Sequence, residues 1–177
     1  MRASLLCCVT FIACLVGCSP KPTEITVTDA TTKATTPQER TFEQIRSGLF
    51  QVNAGMDSIE EAVKAAREKQ TTSLEVKELI TEIVEYLDSA GEALAEEAAD
   101  EPKKTETLEQ LGKRKKQLVD LVNDSLHDLR EGRGIVDSLA TEEELGPLED
   151  IGILIDVAMD DLRGALEALG GKEEIEE

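Results

Sequence analysis

The side chains with which this 177-residue chain could do chemistry are one histidine, four cysteines, its serines and 38 acids. His127 follows Asp124 by three residues and precedes Glu131 by four. A di-iron site in a helical bundle needs inward glutamates and two Glu-x-x-His pairs, which one histidine cannot supply. Haem attachment would need a Cys-x-x-Cys-His sequence, and none is present. Copper handling would need Met or His clusters, and the three methionines include Met1. All four cysteines, Cys7, Cys8, Cys14 and Cys18, fall in the first 18 residues. The remaining chain therefore has no thiolate for zinc and no disulfide framework. A serine nucleophile would need an inward histidine base, and a catalytic carboxylate pair would need one desolvated member.

Whether any of these groups is desolvated depends on the elements that carry them. From residue 37 the apolar residues recur at alternating gaps of three and four, the heptad rhythm of packed or coiled helices. The first segment opens on the capping box Thr36-Pro37-Gln38-Glu39. It runs to about Lys69 on Phe42, Ile45, Leu49, Val52, Met56, Ile59, Val63 and Ala66. A second box, Thr72-Ser73-Leu74-Glu75, starts a segment on Val76, Ile80, Ile83, Leu87, Ala90 and Leu94 that ends before Pro102. The third begins near Thr105 and uses Leu108, Leu111, Leu118, Val122 and Leu129; it extends to residue 139, with Gly132 the point where it could break. Thr141 to Glu144 reads as a further box before Gly146-Pro147. A fourth segment on Leu148, Ile151, Ile155, Ala158, Leu162, Ala165 and Leu169 stops at Gly170-Gly171. Short connections make successive helices antiparallel. The expected fold is all-α, an antiparallel up-down-up-down four-helix bundle over residues 37–171, followed by an acidic tail at 172–177. Two longer hairpins pairing with a second copy are the alternative.

On this frame His127 takes an outermost position. The aspartates that recur once per helix (Asp57, Asp88, Asp124 and Asp160) fall off the apolar seam, on solvated faces. The reading is a protein that is not an enzyme and has no metal or other cofactor. Gly48, Gly55, Gly91 and Gly164 leave room for one rival, a core thinned to hold a small apolar ligand.

The N-terminus has a different character. Residues 1–17, MRASLLCCVTFIACLVG, combine the single charge of Arg2 with an apolar run from Leu5 to Leu15 that is too short for a bilayer. Leu15-Val16-Gly17-Cys18, followed by Ser19-Pro20, resembles the lipobox of bacterial lipoproteins. The resemblance implies a signal peptide over 1–17 and a diacylglycerol with an N-acyl chain, commonly palmitate, on Cys18. Two or more acyl chains anchor stably, at roughly 0.8 kcal/mol per buried methylene. It also implies the cell envelope and, because Ser19 is not aspartate, the periplasmic side of the outer membrane in a diderm host. Residues 18–36 then form a lipidated cysteine and a Thr/Pro-rich linker. Its mean span is about 25 Å and its reach roughly 60 Å.

Charge completes the reading. Removing Arg2 with residues 1–17 leaves 18 basic against 38 acidic side chains, a net charge of −20. That charge and an aromatic content of 2% oppose nucleic-acid binding. Lys113-Arg114-Lys115-Lys116 is the only basic run. Antiparallel packing sets it near Glu96, Glu97, Asp100, Glu101 and the acidic tail, which it would neutralise; it could otherwise meet an acidic partner or anionic headgroups. Phe50 sits one step beyond Leu49, pointing outward, where an aromatic can anchor a partner. The functional expectation is a lipid-anchored scaffold or adaptor that meets an envelope protein, or a second copy, through Phe50, Lys113, Arg114, Lys115 and Lys116. A ligand carrier or sensor is the alternative.

Overall fold

A computed structural model describes residues 36–139 and 148–174. The described residues form four α-helices and no strand: α1 (Pro37–Arg67), α2 (Leu74–Ala98), α3 (Leu108–Leu139) and α4 (Glu149–Leu169). Each helix packs on its two neighbours in order, with α1 closing the ring against α4 and no contact across the α2–α4 diagonal. Neighbours run antiparallel, as Ser125 against Ala90 and Arg133 against Asp156 show for α3 with α2 and α4. The two hairpins therefore pair within one chain. No helix among the described residues is long and apolar enough to cross a membrane.

Helix ends follow local chemistry. Thr36 Oγ1 accepts from Glu39 N at 3.1 Å while Glu39 Oε2 accepts from Thr36 N at 2.8 Å, completing the expected box around Pro37. The second box does not form at Thr72. Ser73 caps α2 through Val76 N, at 3.4 Å, because Thr71 Oγ1 has already taken the Ser73 N–H. The third helix starts at Leu108 rather than Thr105, on a box that the sequence reading missed. Thr107 N donates to Gln110 Oε1 at 2.8 Å, and Gln110 N to Thr107 Oγ1 at 3.3 Å. Leu148 stands at the N-cap of α4 without a side-chain bond, and Glu149 and Asp150 supply negative charge in the first turn. Thr141 to Pro147 lie outside the described residues. At the other end Gly170 adopts φ 65°, and Gly171 N reaches back to Leu166 O at 2.8 Å. This closure needs the left-handed conformation that glycine adopts without strain.

The seam residues of all four segments are buried, with two departures: Met56 is half-buried and Leu108 is 48% exposed. Leu108 opens α3, one turn short of Leu111, the first of its side chains to reach the core. Gly132 does not break α3. It is buried in a seam position, where an added methyl would lie 3.6 Å from Tyr86 Cβ, so α2 holds the helix there. Gly112 and Gly134 have open space instead. Replacing both with alanine raises stability by about 1 kcal/mol per site through helix propensity alone. Urea unfolding with an unchanged m-value checks this, and a loss of stability at either site would show a packing role that the structure lacks.

Candidate interaction surfaces

At the end of the bundle where α1 and α3 begin, the basic run divides by helix position. Arg114 is 8% exposed, turned inward beside the seam. Its guanidinium lies 3.1 Å from Asp100, 3.4 Å from Glu97 and 3.5 Å from Glu106. Nε and Nη2 are buried without a well-aligned hydrogen bond, so charge rather than donor geometry holds the group. Arg114 is therefore not offered to a partner. That corrects its place among the contact residues: the end of α2 brings Glu97 over it, and the connection from α2 to α3 adds Asp100 and Glu106. Lys113 pairs along its own helix with Glu109 at 3.1 Å, and both are well exposed. Lys115 Nζ donates to Gln44 Oε1 at 3.0 Å and reaches the last turn of α4 beside Gly170. Lys116 is exposed and pairs with none of the described residues. The outward basic surface is thus Lys113 and Lys116, with Lys115 half-buried between them.

Residues 172–174, the described part of the acidic tail, do not meet this run. Gly170 reverses the chain, so residues 172–174 return along α3 toward its middle. Asn123, buried at 8% exposure, donates from Nδ2 to Lys172 O at 3.2 Å and accepts at Oδ1 from Glu174 N at 3.0 Å. Glu173 pairs with Arg130 of α3, and its oxygens lie 3.3 Å from Arg163 Nε of α4. Burial would raise the Glu173 pKa, but the hydrogen bond from Arg130 and the charges of Arg163 and Arg130 hold it below the ordinary 4.5. A carboxyl whose folded pKa is depressed contributes stability above its unfolded pKa and loses it as pH falls through the folded one. Glu173→Gln therefore costs stability near neutral pH. The difference from the parent shrinks below about pH 4.5 and disappears in stronger acid. Denaturant titrations across that range check the sign; a cost that grew on acidification would contradict the pairing.

Phe50 is 73% exposed on the outer face of α1. Ile153 and Val157, one turn apart on α4, are 52% and 45% exposed. The sequence reading missed this pair because both fall outside the α4 seam. His127 is exposed as expected. Of the recurring aspartates, Asp57, Asp124 and Asp160 face solvent, while Asp88 is half-buried and pairs with Arg67 at 2.7 Å. Ser125, also missed, is 1% exposed and donates to Ala90 O at 3.2 Å. The heptad count carried the signal, since Ser125 occupies a seam position. No group of acids, cysteines or histidines able to hold a metal occurs among the described residues. Cys18 and its lipobox lie outside them.

Comparison with protein-family models, characterised proteins and solved structures finds no significant match.

Each of the four glycines that could have opened a ligand space faces a side chain of a neighbouring helix, and two of them face leucines. A methyl on Gly48 would stand 2.7 Å from Leu169 Cγ, and one on Gly55 would stand 3.1 Å from Leu162 Cδ2. Seven residues separate each pair, so Leu162 and Leu169 of α4 seat as two knobs in two glycine sockets of α1. Gly91 meets Ile59 at 3.4 Å and Gly164 meets Gln51 at 3.6 Å by the same measure. The small residues bring helices close and do not hollow the core.

Proposed function

We propose that this chain is a lipid-anchored, non-enzymatic lipoprotein of the bacterial cell envelope that acts as a scaffold or adaptor through protein–protein contacts. The anchor rests on Leu15-Val16-Gly17-Cys18 and the linker behind it. The contact role rests chiefly on Phe50, an aromatic held 73% exposed on a regular helix, where none of the described residues covers it. Lys113 and Lys116 add outward positive charge to a strongly acidic protein, which favours an acidic partner. An outer-membrane lipid anchor with a linker reaching roughly 60 Å lets the bundle meet an envelope protein without leaving the membrane.

A photo-crosslinking residue placed at position 50 tests this in cells, with position 82 on the exposed face of α2 as the control. In a lipidated chain, position 50 should capture a reproducible protein partner that position 82 does not. Cys18→Ser should lower the yield by releasing the bundle from the membrane. Equal capture from both positions, or none from position 50, would remove the contact role. Undiminished capture with Cys18→Ser would remove the anchor's part in it.

A further inference from the structure

We infer that the α3–α4 groove around Asn123 is a receptor for an extended acidic peptide: residues 172–174 occupy it within this chain, and an acidic segment of a partner protein takes the same place. The site has two readers. Asn123 bonds the backbone on both sides of residue 173, through Lys172 O at 3.2 Å and Glu174 N at 3.0 Å. This is the pairing that a neighbouring strand would offer, and it reads backbone rather than side chain. Arg130 and Arg163, from the two flanking helices, then select a carboxylate at the position between those bonds. The side chains of Lys172 and Glu174 face solvent, so the site asks for an extended backbone and one central glutamate.

Two features argue for exchange over a permanent seam. The four helices are capped and closed without residues 172–174, and it is those residues that cover Asn123, whose one other partner among the described residues is Val119 O, of its own helix, at 3.2 Å. Lifting them leaves the Asn123 amide open to another extended backbone. Residues 172–174 are also joined to α4 through Gly170-Gly171, so they act as a tethered ligand at an effective concentration in the millimolar range. A longer acidic segment with further contacts can compete with them.

This gives the contact role proposed above a partner chemistry and rests on that reading for its biological use. Binding itself is measured on the unacylated Cys18→Ser chain, so failure of the anchor or of Phe50 capture leaves it unaffected. The probe is a labelled peptide, Gly-Gly-Lys-Glu-Glu-Ile-Glu-Glu, followed by fluorescence anisotropy. A chain carrying Glu173→Ala, whose own anchor is gone, should bind it roughly tenfold more tightly than the chain with its native tail. Adding Arg130→Ala or Asn123→Ala should abolish that gain, as should replacing the first glutamate of the peptide with glutamine. Circular dichroism confirms that each variant is folded. Equal binding by the native and Glu173→Ala chains would overturn the inference, as would equal binding of the glutamine peptide. Dimerisation that Glu173→Ala abolishes would also overturn it, by assigning the groove to the tail of a second copy.

Discussion

Arg114→Ala should lower the stability of the bundle by about 2–4 kcal/mol, the largest effect expected of any charge in the described chain. Glu97 and Glu106 are only 25% and 19% exposed at their side chains, and without the guanidinium they face each other and Asp100 with no cation between them. Asp100, at 69% exposed, can turn to water, which keeps the cost below that of a fully buried triad. The corresponding fall in melting temperature is on the order of 10 °C. Arg114→Lys should recover only part, because a compact ammonium cannot span three carboxylates on different sides of a planar group. Salt should change the loss little, since Arg114, Glu97 and Glu106 are largely shielded and only the Asp100 contact lies open to screening. Thermal unfolding at low and high ionic strength measures all three. A loss below about 1 kcal/mol would place Arg114 with ordinary surface charges.

The second large effect concerns the glycine sockets. Leu169→Ala should cost about 2–4 kcal/mol, as expected when a fully buried leucine leaves a cavity. Gly48→Ala should cost about 1–2 kcal/mol despite a better helix propensity, because its methyl would press on Leu169 Cγ at 2.7 Å. Together the two changes should cost at least about 1 kcal/mol less than their sum, since the new methyl enters the space that the leucine leaves. Denaturant unfolding of the four chains closes the cycle. Strict additivity would mean that α1 and α4 do not meet as the structure has them.

These predictions differ in how far the sequence could have supplied them. The bundle was legible because heptad spacing fixes which face of a helix is apolar before any partner is known. Ile45, Leu87, Val122 and Ile155 lie in the core on that ground alone. Phe50 was legible for the same reason, one step off the seam. The second helix began one residue late because two hydroxyl neighbours, Thr71 and Ser73, divided the capping work between them, which spacing cannot rank.

By itself the sequence determined four amphipathic helices, their order and the outward setting of His127 and Phe50. Those follow from helical periodicity and the bonding needs of helix ends. The proposed anchor rests on residues 15–18 of the sequence alone. Only tertiary structure decided what became of Arg114, Asn123 and the glycines. Arg114 is buried because α2 returns with carboxylates at its end, and Gly48 is a socket because α4 delivers Leu169 to it. Asn123 is covered by residues 49 and 51 positions away in the chain, through a reversal at Gly170 whose direction no composition reveals. Periodicity assigns a face to each residue, but a neighbour far along the chain decides what that face meets.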